Sequence, residues 1–287
     1  YPVTVGEAPS VVAAPVVKGS PSVGSTVSVT PASWSRAGAT SSFQWLRDGS
    51  PIAGATKASY TLTVSDLARS IAVRESVTQK GYEDAHATSA AVKVVAGAAP
   101  KVSKASVISG KARLGEKLTA SVPTWSMSGV TTKYQWLRDG KVISGATART
   151  YRVTTKDVGK KLSMRVTGTK TGYAAGSGVS ASTKAVAKGK PSVTASSKDV
   201  KASKRAKVTV KVKAAGLSTP TGKVTVTYGS KKITKTLKSS HEGKIVITLP
   251  KLKAGKYNVT AKFTPGTSHA KYVGSAKASS HTLRIKK

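Results

Sequence analysis

The sequence predicts an all-β chain of three tandem sandwich domains, and three observations carry that prediction. The string Gln-Trp-Leu-Arg-Asp-Gly occurs at Gln44–Gly49 and again at Gln135–Gly140, with an offset of 91 residues that holds without a gap through the flanking sequence. Short alternating runs of Val, Thr, Leu and Ile are separated by Gly, Pro, Ser and Asp, which is the pattern of a sandwich. Finally, 287 residues with 38% hydrophobic and only 5% aromatic content suit two or three units, each large enough for its own core.

The 91-residue offset maps Trp34 to Trp125, Gly24 to Gly115, Tyr60 to Tyr151, Asp66 to Asp157 and Gly81-Tyr82 to Gly172-Tyr173. Solenoid units are usually about 20–50 residues, so this repeat is a whole domain copied in tandem. Boundaries fall in Ala/Val/Pro/Gly stretches, giving a first repeat over 1–97, a second over 98–187 and a different domain over 188–287. Each joint contains Pro, which stiffens it relative to a Gly/Ser linker and favours an extended array. The opening Tyr1-Pro2-Val3-Thr4 is neither a signal peptide nor an initiator methionine, so the chain reads as an excised or processed segment.

In the second repeat Lys117–Ala120 alternates, Tyr134–Arg138 reads as a central strand, and Asp139-Gly140 fits a two-residue type I′ hairpin turn. Strands follow over Thr150–Thr154 and Lys161–Gly168, and a last one near Ser180–Val186. Asp66 and Asp157 are expected to fix turns by accepting nearby backbone N–H groups. Residues 190–287 alternate over Lys207–Lys213, Gly222–Tyr228, Lys231–Lys238, Lys244–Leu249, Lys256–Phe263 and His281–Ile285.

A Trp on a central strand, followed by Tyr-x-Val-Thr-x-x-Asp-x-Gly before another strand, resembles an immunoglobulin-like sandwich without its core disulfide; the chain has no cysteine. Trp136 sits where the buried Trp of strand C belongs, and Asp157-Val158-Gly159 resembles the turn ahead of strand F. With Trp-Leu-Arg-Asp-Gly and Gly-Ala-Thr, residues 15–187 are similar to bacterial immunoglobulin-like domains of actinobacterial secreted and surface proteins. The first copy departs from the pattern, with Ala68-Arg69 where the second has Gly159-Lys160, which puts its turn in doubt. Thr219-Pro-Thr-Gly-Lys-Val-Thr-Val and the Ile-Thr-Leu-Pro-Lys-Leu-Lys-Ala-Gly-Lys-Tyr segment resemble a second bacterial immunoglobulin-like family. The resemblance implies three tandem immunoglobulin-like β-sandwich domains in a secreted or cell-surface protein.

Charge is distributed as unevenly as the repeats are regular. Residues 1–97 carry 8 Lys+Arg against 6 acids, residues 98–187 carry 16 against 3, and residues 188–287 carry 24 against 2. A gradient that steep points the C-terminal domain at a polyanion. In Lys207–Lys213 the valines share one strand face while Lys207, Lys211 and Lys213 share the other. Lys231, Lys232, Lys235 and Lys238 add to the candidate polyanion-binding surface, as do Lys244 and Lys256. Lysines that protect edge strands from aggregation are the plainer explanation, but they do not account for 24 against 2.

Trp34 and Trp125 follow Pro-Ala-Ser and Pro-Thr outside clear strands, and Tyr82 and Tyr173 lie in Gly-Tyr turns. All four are either covers for the sandwich edge or exposed platforms for stacking a glycan. The sequence shows no zinc-ligand spacing among His86, His241, His269 and His281, no P-loop and no Gly-x-Ser-x-Gly. No catalytic residue, metal or cofactor is therefore expected. The 37 Lys against 11 Arg, without a nucleic-acid motif, argue against a specific nucleic-acid partner. The expected function is a non-catalytic, extracellular spacer and adhesion region holding an anionic cell-wall polymer or polysaccharide. An accessory carbohydrate-binding region of a secreted glycoside hydrolase or protease is the alternative.

Overall fold

The computed structural model describes residues 5–287; Tyr1–Thr4 lie outside the described residues. The chain divides into two compact units, residues 1–103 with 124–132 and 167–177, and residues 104–123 with 133–166 and 178–287. The second repeat thus contributes to both.

In the first unit, Val16–Lys18, Thr26–Thr30 and Ser59–Thr61 form a three-stranded antiparallel sheet. The second sheet runs Val92–Lys93, Ser70–Thr78, Thr40–Arg47, Ser50–Pro51, with Ala85–Thr88 also paired to Ser70–Thr78. The Ser59–Thr61 strand leaves its sequence neighbour Ser50–Pro51 to rejoin the first sheet. That switch is the Greek-key connection of an immunoglobulin-like sandwich. Between the sheets lie Val27, Trp45, Leu62, Ile71 and Val73, all buried. The Trp45 ring stacks at 5.9 Å on Tyr60, and its indole N–H donates to the Lys57 carbonyl at 2.9 Å.

The second repeat has the same strand order, without a counterpart of the Val92–Lys93 strand. Ile108–Ser109, Lys117–Ala120 and Thr150–Arg152 form one sheet, and Lys141–Val142, Thr131–Arg138, Leu162–Thr169 and Gly176–Val179 the other. The last of these falls earlier than Ser180–Val186, where alternation placed it. Ser180 instead donates from its backbone N–H to the Met164 carbonyl, and Val186 makes only an isolated parallel bridge to Val158. Trp136 is fully buried and donates to the Ala148 carbonyl at 2.9 Å, matching Trp45.

Asp48 and Gly49 have φ of 47° and 81°, and Asp139 and Gly140 have 46° and 78°. Positive φ at both central residues is what a type I′ turn demands. Each Asp also accepts the N–H that starts a later strand, Ser70 and Lys161 respectively, at 2.9 Å. The doubtful turn of the first copy proves the same as the second: Ala68 adopts φ 63° and Gly159 φ 80°.

The basic domain, wholly in the second unit, is a third sandwich. Ser192–Ser197, Lys207–Lys213 and Lys244–Thr248 make a three-stranded sheet. Lys231–Leu237, Gly222–Tyr228, Gly255–Pro265 and His281–Lys286 make the larger one. Val200–Lys201 joins its far side, parallel to His281–Lys286, so the chain crosses from one sheet to the other between residues 197 and 200. Val208, Val210, Val224, Val226, Val259, Phe263 and Leu283 are fully buried between them.

Candidate functional site

The period of two in Lys207–Lys213 is realised as expected. Val208, Val210 and Val212 are buried while Lys207, Lys211 and Lys213 are exposed, because alternate side chains of a strand leave on opposite faces. Strand pairing adds Lys244: it stands directly opposite Lys211 in the register. On the other flank Ser192 and Thr194 face Lys213 and Lys211. The outer face of the small sheet is therefore Lys207, Lys211, Lys213 and Lys244 among Ser and Thr, with the exposed Val246 opposite Thr209. Opposed like charges cost stability on a sheet, so Lys211 and Lys244 raise the local positive potential at the fold's expense.

The remaining candidates do not join this face. Lys232 pairs with Thr227 on the outer face of the larger sheet. Lys231 and Lys235 pair with buried Tyr228 and Val224, so they occupy inward positions but stay exposed at the edge strand. Lys238 lies in the turn beyond, its backbone N–H donating to His241 Nδ1 at 3.0 Å.

The larger sheet has a cationic outer face of its own, of which the sequence pointed only to Lys232 and Lys256. Lys223 and Lys262 flank Thr225 across the Gly222–Tyr228 and Gly255–Pro265 pairing. Lys256 stands opposite Arg284, and Lys262 opposite Lys277. The signal was the Lys/Thr alternation within strands already recognised.

No salt bridge among the described residues holds these cations, although Glu242 lines a cleft together with Lys190 and Lys213. Among the described residues four ion pairs occur, Arg47–Asp66, Arg69–Asp48, Arg138–Asp157 and Lys160–Asp139, and none involves the basic domain. Of its two acids, Asp199 accepts the Arg284 backbone N–H at 2.9 Å.

Asp48, Asp66, Asp139 and Asp157 are consumed by structure. Asp66 is wholly buried and accepts Arg47 Nε–H at 2.7 Å, Tyr60 O–H at 3.0 Å, and the N–H and O–H of Thr63 at 2.7 and 2.9 Å. Burial pushes its carboxyl up, but the hydrogen bonds from Thr63, Arg47 and Tyr60 prevail and hold it below the ordinary aspartate value. Burial and the bond to Asp66 raise the Tyr60 phenol. Arg138, Tyr151 and Thr154 surround Asp157 in the same way. Thus the expected backbone N–H is there, supplied by residue 63 or 154, and an Arg 19 residues upstream completes the cage. Among the described residues no group of three His, Cys, Asp or Glu is placed to hold a metal ion.

The four candidate stacking aromatics are half-buried. Trp34 donates to Glu75 Oε1 at 3.4 Å and Trp125 to Thr132 Oγ1 at 2.9 Å. The Trp125 ring lies over Gly168, where a Cβ would come within 2.7 Å of it. Tyr82 packs on Gly6 with the Arg36 guanidinium 4.4 Å from its ring centre. Tyr173 packs on Gly97 and reaches Gly24, with the Lys170 ammonium 5.0 Å from its ring. Each has at least one side committed to the protein.

No family model matches the chain, and no curated relative does. Among solved structures, the chicken interferon gamma receptor alpha chain is similar at 12% identity and TM-score 0.39, over 66% of this chain and 98% of its own. An ICAM-5 D1–D4 ectodomain fragment is similar at 14% identity and TM-score 0.40, over 94% and 75%. A Ca2+-stabilized adhesin of an Antarctic bacterium, described as binding ice, is similar at 12% identity and TM-score 0.33, over 96% and 74%. The fold assignment rests on the strand order and burial above.

Proposed function

We propose that this chain is a non-catalytic adhesion region of an extracellular or surface protein. Its domains span 1–97, 98–187 and 188–287, and the last attaches to an anionic cell-wall polymer or polysaccharide. The observation that carries this reading is the outer face of the small sheet, where Lys207, Lys211, Lys213 and Lys244 gather without a carboxylate partner. Lys is a hydrated point charge on a flexible stem, so such a face attracts a polyanion without a fixed pose. The two repeats space or display what lies beside them. Among the described residues no helix is long and apolar enough to cross a membrane.

The half-exposed Trp34 and Trp125, at equivalent places in the two repeats, favour a second reading, an accessory carbohydrate-binding region of a secreted hydrolase. Salt separates the two. Screening shortens from about 8 Å at physiological ionic strength to about 3 Å at 1 M. Retention of the full chain on an anionic wall polymer is expected to collapse over that range, with no retention on neutral insoluble glucan. Retention on neutral glucan that persists in 1 M salt supports aromatic stacking and overturns the electrostatic reading.

A further inference from the structure

The chain crossing at residues 197–200 opens a cleft of ≈ 490 Å³ at the rim of the basic sandwich. Its walls are Lys198, Arg205 and Lys207, three cations, with the hydroxyls of Ser196, Ser197 and Thr209, over Val200. No carboxylate lines it; the adjacent Asp199 is turned to the Arg284 backbone. We propose that this cleft is a binding site for a tetrahedral oxyanion ester, the phosphate or sulfate group of an anionic polymer chain.

Three features make it more than a stretch of charged surface. The first is residue type. The domain carries 22 Lys and only two Arg, and one of the two stands here. A guanidinium presents a planar fork that meets two oxygens of one oxyanion, which an ammonium cannot do. The second is register. Ser196 and Thr209 are opposed on the outer face of the small sheet, so backbone pairing brings both side chains to the same face. Lys207 lies two residues from Thr209 on the same face.

The third is a part-buried hydrogen bond. Ser197 Oγ is 2.8 Å from His281 Nε2, and His281 Nδ1 is buried without a partner. A buried N–H without an acceptor is rarer in proteins than an under-used acceptor, which places the imidazole proton on Nε2. His281 then donates to Ser197, which leaves the serine O–H free to donate at the cleft's inner edge. The site thus offers a bidentate fork, two ammonium groups and hydroxyl-bearing side chains, all of which favour an anion. The volume lies in the range of small-molecule sites and leaves room for the sugar or polyol that carries the ester.

The inference names the ligand chemistry of the adhesive domain and rests on that reading; the experiment keeps the two apart. Full-length chain is titrated with three polymers of matched charge density: poly(glycerol phosphate), dextran sulfate and a polycarboxylate. Poly(glycerol phosphate) or dextran sulfate is expected to bind more tightly than the polycarboxylate, and the tighter of the two identifies the ester. Arg205→Lys, which preserves net charge, is expected to weaken binding of that ester about tenfold, the scale of one charge-assisted hydrogen bond. Ser197→Ala is expected to weaken it less, and Lys204→Ala, outside the cleft, to leave the preference between polymers intact. Salt-sensitive binding that ignores Arg205→Lys and ranks all three polymers alike overturns the site while adhesion stands. If no polymer binds, adhesion falls, and inorganic phosphate decides the cleft. Saturable amide shifts centred on Ser197, Lys198 and Arg205 support the site, and scattered or absent shifts overturn it.

Discussion

The two repeats bury the same aspartate in the same cage, yet they differ beneath the outer tryptophan. In the first, Glu75 is 1% exposed and accepts the Ala32 backbone N–H at 2.7 Å, the Ser41 hydroxyl at 2.6 Å and the Trp34 indole at 3.4 Å. In the second, the equivalent position is Val166, also buried. Ala32 becomes Pro123, which has no N–H to satisfy, and the Trp125 indole turns to Thr132. Val77 becomes Gly168, leaving room for the Trp125 ring. The carboxylate is present where three donors converge and absent where one of them is lost. A buried charge is tolerated only when its hydrogen bonds are complete, and the two copies hold the two self-consistent solutions.

Mixing the solutions gives the largest expected effect. Val166→Glu places a carboxylate beside Pro123, with no backbone donor to meet it. It is expected to destabilise the second repeat by about 3–5 kcal/mol, the cost of an uncompensated buried charge. Domain-resolved hydrogen exchange would read this, and unchanged protection would break the comparison. Trp136→Ala is expected to cost a similar amount, about 3–5 kcal/mol for removing a large core aromatic. A melting shift no larger than that of an exposed alanine substitution would remove Trp136 from the core.

Next in size is the pH response of the Asp66 cage. Its folded pKa lies below the ordinary aspartate value, held there by the hydrogen bonds from Thr63, Arg47 and Tyr60. The stabilisation is therefore fully present above that unfolded value and is lost as pH falls through the folded one. Asp66→Asn is expected to destabilise the first repeat by about 2 kcal/mol at pH 7 and to flatten its stability profile below pH 4. A mutant as acid-sensitive as the native chain would contradict this.

The smallest effect tests the shared turn. Ala68→Gly relieves a left-handed alanine and is expected to stabilise the first repeat by about 1 kcal/mol, bringing it to the residue found at Gly159. Loss of stability would show that the turn needs the alanine methyl.

Much of the fold was legible because local chemistry and tertiary structure agree. Asp48-Gly49 and Asp139-Gly140 demand positive φ and have it, and the repeated Trp marks the same buried strand twice. Alternation in Lys207–Lys213 separated core from surface residue by residue. Strands without that signal were missed: Ser192–Ser197 is Ser/Thr-rich, and Val200–Lys201 has only two residues. Long-range partners were hidden for the same reason. Arg47 reaches Asp66 only through folding, and Lys244 joins Lys211 only through strand pairing. Lys231, Lys232 and Lys235 looked like one cluster, but alternation along their strand sends Lys232 outward and the other two to the opposite side. The convergence of Lys198 and Arg205 depends on a crossing between sheets that composition does not reveal.

The central claim is that adhesion resides in the unpaired cations of the basic domain. The direct measurement compares two charge reversals of equal size in the full chain. Lys207→Glu, Lys211→Glu and Lys213→Glu change the small-sheet face by six units, and Lys117→Glu, Lys133→Glu and Lys141→Glu change exposed positions of the second repeat by the same amount. Affinity for anionic wall polymer at physiological salt is expected to fall at least tenfold for the first set and less than threefold for the second, since exposed charges beyond about 8 Å are largely screened. Equal losses from the two sets would mean that net charge alone governs binding and would contradict the account.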